Sequence, residues 1–288
     1  MPLNVLIRYC DDLYNRPERC STCSNECKGS CLKCLEYIHK TSTNERTYNC
    51  NNIINCYTCK YLYKYSAEIE HLLMQFIKWF RLNQDNVITI GSIGCGPCSE
   101  LFGLDQFRRH EQLSFKIQYK GFELINDWNH IHNKIAEMGI AHHIEFYYED
   151  VFKIYTLHQD YPQILILNYV VSDIVRRSSE AGINSFLEKL YDLIGHMSSK
   201  SFVVINDINL GRTHREARYY YDIIEEELQH RRMNIATRKY HFPNSQRFYY
   251  EYGSVLPNNI TCDIPQDIMQ KYNPWSECRS AALIIYKR

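Results

Sequence analysis

Ile69, Leu72, Leu73, Phe76, Ile77 and Phe80 recur at helical spacing, which predicts a helix with Ser66 as its N-cap. From residue 86 onward, short apolar runs alternate with helical patterns. Val87–Ile93 reads as a buried strand, and a helix begins near Ser99. A second strand is expected over 115–122, and Trp128, Ile131, Ile135 and Met138 mark the helix after it. A third strand covers 144–148. The fourth, Ile164–Asn168, is almost wholly apolar, as a central parallel strand should be. Phe186, Leu187, Leu190, Leu193 and Ile194 mark a helix that Asn184 would cap, and 202–205 is a fifth strand. Ala217, Tyr220, Tyr221, Ile224 and Leu228 share one face of a further helix. Two late strand-like runs, 247–255 and 281–286, are expected to pair as an antiparallel hairpin at the sheet edge. Strands alternating with helices predict an α/β domain built on a doubly wound, mostly parallel sheet.

Residues 1–60 break this pattern. They hold nine of the thirteen cysteines and few long apolar runs. A boundary is therefore expected at residue 62, with a small cysteine-rich domain over 1–62 and the α/β domain over 63–288. The chain has 288 residues, enough for that domain and the appendage. Lys plus Arg and Asp plus Glu both number 33, so bulk charge points to neither a nucleic-acid nor a membrane partner. No apolar run is long enough to span a bilayer, and the N-terminus turns charged at once. A cytoplasmic protein is expected, in which thiols stay reduced.

In that setting the cysteine spacing points to metal. Cys20-x2-Cys23-x3-Cys27-x3-Cys31-x2-Cys34, then Cys50-x5-Cys56-x2-Cys59, offer tetrahedral sites several times over, and His39 is a further donor. Two zinc ions would use most of these thiolates. An iron–sulfur cluster is the rival, since all-thiolate ligation suits it as well. Closed four-ligand sites serve to fold segments that lack a core of their own.

The sharpest local signal is the turn after the first strand, Gly94-Cys95-Gly96-Pro97-Cys98, running directly into a helix. Glycines without a Cβ let backbone approach a ligand at a strand's carboxyl end. No lysine is present for a P-loop. A dinucleotide fingerprint would need glycine where Ser99 stands, which disfavours a nucleotide-binding oxidoreductase. The segment resembles motif I of class I S-adenosylmethionine-dependent methyltransferases, with Ser92 in the place of the usual acidic residue and Cys98 in that of the third glycine. The cysteine-rich head is similar to that of bacterial methyltransferase-like proteins.

The resemblance implies a Rossmann-like methyltransferase sheet and S-adenosylmethionine as cofactor, held by Ser92, Gly94, Cys95, Gly96 and Pro97. It implies that Glu123 binds the ribose hydroxyls and that Asp150 meets the adenine amino group, with the Val151 amide nearby. Read without it, Asp150 is equally a helix N-cap. Asn168 and Tyr169, at the end of the fourth strand, fall where the family presents the methyl group. They are the candidates for lining the transfer site, Asn168 also touching the cofactor. The departures at Ser92 and Cys98 equally fit a binding or regulatory module that keeps the fold and the metal but not catalysis. For the acceptor, arginines and tyrosines between 212 and 252 suit single-stranded nucleic acid. Interleaved acidic residues equally fit a salt-bridged helix face.

Overall fold

The computed structural model describes residues 1–14, 30–40, 48, 50–83, 86–210, 213–243 and 251–288, with backbone alone at 37, 39 and 40. Four helices come first: α1 (Pro2–Tyr14), α2 (Cys31–Lys40), α3 (Asn51–Met74) and α4 (Ile77–Leu82). Then strands and helices alternate: β1 (Val87–Ile93), α5 (Ser99–His110), β2 (Lys116–Phe122), α6 (Asn129–Glu137), β3 (His143–Tyr147), α7 (Val151–His158) and β4 (Ile164–Asn168). The chain continues through α8 (Val171–Arg177), α9 (Glu180–His196), β5 (Phe202–Ile208), α10 (Tyr219–His230), β6 (Ile235–His241), β7 (Ser254–Val255), α11 (Gln266–Tyr272) and β8 (Ser280–Lys287).

All eight strands join one sheet in the order β3-β2-β1-β4-β5-β8-β6-β7. The first five run parallel, and β8 inserts antiparallel between β5 and β6. β4 is buried along its whole length, which is why it reads as an unbroken apolar run. Because side chains alternate across a strand, Ile164 and Ile166 face one apolar core while Leu165 and Leu167 face the other. The first core is closed by α1, α3, α5 and α6, the second by α7, α8, α9 and α10. The chain winds from β1 outward through β2 to β3, then crosses back to β4. The crevice between the carboxyl ends of β1 and β4 is thus the switch point where such sheets bind ligands.

Several expectations change. Asn184 does not cap α9 but lies within it, and Ser179 is the cap. The helix expected from Ser66 begins at Asn51, and Ser66 lies buried in its middle. Asn55, Thr58, Lys64, Ser66 and Glu68 are all buried, so α3 has no clean apolar stripe to reveal its first half. The late hairpin does not form. β7 shrinks to two residues paired with β6, while β8 fills the gap between β5 and β6. Residues 247–250 of the expected 247–255 run lie outside the described residues. Residue 62, after which the division is expected, lies within α3.

α3 packs along α5 at close range. A Cβ built at Gly103 of α5 would meet the Ser66 carbonyl oxygen at 2.4 Å, so only glycine allows this approach. Among the described residues, no helix is long and apolar enough to cross a membrane.

Candidate active site

β1 ends in a turn of three left-handed residues. Gly94 has φ +61°, Gly96 +44° and Cys98 +55°. The first two are glycine, for which this region costs nothing. Cys98 is not, and such a residue is held there only by its surroundings. The Cys98 amide donates to the Cys95 carbonyl at 2.7 Å, closing the turn, and the Cys95 amide donates to the Phe122 carbonyl at 3.1 Å. A Cβ on Gly94 would press against Val170 at 2.9 Å.

The turn is tied to the end of β2. The Gly96 amide donates to Glu123 Oε2 at 3.1 Å, while Oε1 accepts from the amides of Leu124 at 2.9 Å and Ile125 at 3.1 Å. Burial raises the Glu123 pKa above the usual carboxylate range, and these three amides oppose the shift. Asp150 caps α7, accepting from the Phe152 amide at 3.0 Å, and also faces Lys189 at 3.4 Å.

A cavity of about 520 Å³ opens at this point. Gly94, Cys95, Gly96, Pro97, Glu123, Asp150, Val151, Asn168 and Tyr169 all line it. Ser92 does not. Its side chain is buried inside β1, away from the cavity wall.

Part of the lining is aromatic and comes largely from the N-terminal part of the chain. Tyr48, Tyr57 and Tyr65 line the cavity together with Trp128. Tyr57 meets Tyr48 at 5.2 Å and Trp128 at 5.7 Å, and Tyr65 stacks on Tyr169 at 3.9 Å. The sequence pattern gives no sign of this wall, because tyrosine is abundant throughout. The spacing of Tyr57, Tyr61 and Tyr65 on one helical face is the signal that could have pointed to it.

Behind the cavity runs a buried polar network. Lys64 Nζ donates to the Tyr169 hydroxyl at 2.6 Å, which donates to Glu68 Oε1 at 3.2 Å. Glu68 Oε2 accepts from Asn206 Nδ2 at 3.2 Å, and the same amide group donates to Asn168 Oδ1 at 2.8 Å. Asn168 Nδ2 donates to Ser99 Oγ at 3.0 Å. The polar atoms of both Asn168 and Tyr169 are therefore engaged by other protein groups. Burial also drives the Tyr169 pKa well upward, so this phenol keeps its proton. Tyr169 has φ +60°, a conformation that the network and the Tyr65 stack hold in place.

The cysteines proposed as metal ligands divide. Cys20, Cys23 and Cys27 lie outside the described residues, as does the side chain of His39. Cys31, Cys34, Cys50, Cys56 and Cys59 are buried in the core that α1, α3 and α5 share. Among the described residues, one group of three donors brings its ligand atoms within 4.8 Å of one another, and it lies elsewhere: Cys95, Cys98 and His132. The Cys95-x2-Cys98 spacing is the signal in the sequence that points to this group, while His132 stands 34 residues beyond it.

Among the described residues between 212 and 252, none lines the cavity. Charged groups there pair with each other and with α9. Arg231 meets Glu188 at 2.5 Å and Glu227 at 2.8 Å, and Lys239 meets Asp222 at 2.7 Å. Arg212, Tyr249 and Tyr250 are outside the described residues.

No protein-family model matches the sequence, and no curated protein matches it significantly. Among solved structures, the chain is similar to a class I S-adenosylmethionine-dependent methyltransferase from Listeria monocytogenes. The identity is 10%, the coverage 90% of this chain and 69% of that one, and the TM-score 0.47. An O-methyltransferase family protein from Burkholderia thailandensis is 8% identical over 99% of this chain and 71% of its own, with a TM-score of 0.44. An rRNA methylase from Clostridium thermocellum is 9% identical over 75% and 97%, also with a TM-score of 0.44. At such identities and scores, function has to be argued from the residues of the cavity.

Proposed function

We propose that the chain is an S-adenosylmethionine-dependent methyltransferase. One observation carries the reading: the glycine turn, Glu123 and Asp150 come from three separate strand ends and converge on a single cavity at the switch point of the sheet. The residues fit this cofactor. The cavity lies within the range of about 300–1,000 Å³ common to small-molecule sites. Gly94 and Gly96 present backbone rather than side chain, leaving room for the methionine end. The Glu123 carboxylate, oriented by three amides, would take the ribose hydroxyls. Asp150, with Val151 beside it, would take the adenine amino group, and Ile93 and Phe122 would enclose the ring.

When bound, the cofactor supplies a methyl group on a sulfonium sulfur. The chain's part is to position and to exclude water. Transfer from a sulfonium needs in-line alignment more than a base. Asn168 and Tyr169 are accordingly positioning residues, since their polar atoms are held by Ser99, Asn206, Lys64 and Glu68. The acceptor is proposed to be a planar ring such as a nucleobase, entering against Tyr48, Tyr57, Tyr65 and Trp128. Arg176, Arg177 and Lys189 line the same cavity and would face a phosphate backbone.

The experiment is incubation of the full chain with methyl-labelled cofactor and RNA, DNA, protein or small-molecule extracts, across a salt series. Label in nucleic acid, falling as salt rises, supports the reading. Label confined to protein or small molecules rejects the nucleobase and keeps the transferase.

Metal in the N-terminal segment stays part of the proposal, with zinc held by Cys20, Cys23 and Cys27 together with Cys31, Cys34, Cys50, Cys56 or Cys59. Its support is local. Cys31, Cys34, Cys50, Cys56 and Cys59 are buried together in one core.

A further inference from the structure

We propose that Cys95, Cys98 and His132 form a separate binding site for a soft divalent cation, zinc above all, beneath the glycine turn. The two sulfurs and an imidazole nitrogen already lie within 4.8 Å of one another, and all three residues are buried, at 2%, 0% and 1% exposure. The donors come from two elements, the β1–α5 turn and α6, so an ion would clip them together.

Three features set the donors in place. The imidazole of His132 lies flat on Phe146, with ring centroids 4.1 Å apart and planes at 4°. Its Nε2 faces Cys95 Sγ at 3.7 Å, and its Nδ1 lies 2.8 Å from the Tyr148 hydroxyl, the outer partner that metal-bound histidines require. Gly121 on β2 makes room for the Cys95 sulfur, since a Cβ there would sit 2.9 Å from it.

The chemistry selects the ion. Two thiolates and one imidazole suit zinc and its soft neighbours, whereas calcium and magnesium seek oxygen. Two thiolates also cancel the charge of a divalent ion, which a site this dry demands. His132 Nε2 donates to the Gly96 carbonyl at 2.7 Å. On binding, the ring proton moves to Nδ1, where the Tyr148 oxygen accepts it, and the two thiol protons leave to solvent. One tetrahedral position remains for water or for Glu100, which lies near Cys98 in the same buried cluster. The site stands whatever the cavity binds.

The test uses the full chain, stripped of metal under reducing conditions and reloaded with cobalt and then zinc. Cys98→Ser and His132→Ala should each bind one ion fewer per chain than the wild type and lose part of the thiolate-to-cobalt absorption, while His132→Cys keeps the ion. Folded variants that match the wild type in metal content overturn the site. If the variants fail to fold, the wild type decides by alkylation in mild denaturant. Zinc should protect Cys95 and Cys98, read peptide by peptide by mass spectrometry, and a chelator should expose them. Equal labelling with and without zinc, or a Cys95–Cys98 disulfide formed in air despite saturating zinc, overturns the proposal.

Discussion

The carboxylate of Glu68, in the middle of α3, accepts a hydrogen bond from the Tyr169 hydroxyl at the end of β4, 3.2 Å away. Glu68 has no exposure, and it also accepts from the Arg279 amide at 2.8 Å and from Asn206 at 3.2 Å, with Lys64 Nζ at 3.6 Å. The N-terminal helix thus anchors the strand end that forms the cavity. Glu68→Ala would leave Lys64 buried without its counter-charge and three donors unpaired. It should cost about 3–5 kcal/mol in urea unfolding, as breaking a buried pair does. A loss below about 1 kcal/mol would show that the network contributes little.

Gly103 is the second point where α3 meets the α/β part. With the Ser66 carbonyl 2.4 Å from any added Cβ, Gly103→Ala must push the two helices apart. The gain in helix propensity, about 1 kcal/mol, is outweighed by overpacking of about 1–3 kcal/mol with a backbone atom that cannot swing away. Thermal unfolding should show a lower midpoint, and an unchanged or raised midpoint would refute the close approach.

The α/β part was legible because its strands follow simple rules. β4 is apolar throughout since both its faces are buried, and Gly94 and Gly96 mark a turn that only left-handed backbone can make. The front half of α3 was not legible. Buried polar residues interrupt the apolar positions of α3: Lys64 and Glu68, whose partners Tyr169, Asn206 and Arg279 lie 101 to 211 residues away, and Asn55, which meets His130 75 residues away, all beyond any local pattern. The same holds for the aromatic wall and for His132, which reaches Cys95 and Cys98 only once α6 has packed beside the turn. The strand β6 was missed because Arg238 and Lys239 interrupt its apolar positions at an edge that is partly exposed.

Asp207, at the end of β5, gives a pH signature. Burial raises its pKa from the ordinary 3.8 to about 6, against the amides of Ser172 at 2.8 Å and Ile208 at 2.7 Å. The fold therefore favours the protonated form. The stability this contributes is present below about pH 3.8 and is lost as pH rises through about 6. Asp207→Asn removes the titration. Relative to wild type, the variant should gain on the order of 3 kcal/mol between about pH 4 and pH 7, measured by denaturant unfolding at each pH. A constant difference between the two proteins across that range would contradict the shift.

Cys31→Ser tests the N-terminal metal. Cys31 is buried against the shared core, and if it ligates zinc its loss should lower zinc per chain and destabilise the segment, because binding energy there is folding energy. Metal analysis by mass spectrometry reads the first effect and calorimetric unfolding the second. Undiminished zinc would make Cys31 a packing residue, and iron with acid-labile sulfide would replace zinc by a cluster.

The central claim is that the cavity at the Gly94–Gly96 turn binds S-adenosylmethionine, and titration calorimetry with S-adenosylhomocysteine tests it most directly. Wild-type protein should bind one molecule per chain. Gly96→Arg should abolish binding, since it strains a turn at φ +44° and puts a long side chain into the cavity that Gly96 lines. Glu123→Ala should weaken binding by about 1.5–3 kcal/mol, the worth of hydrogen bonds to a charged group. Heat from NADH with none from S-adenosylhomocysteine, or equal affinity in wild type and Gly96→Arg, would contradict the account.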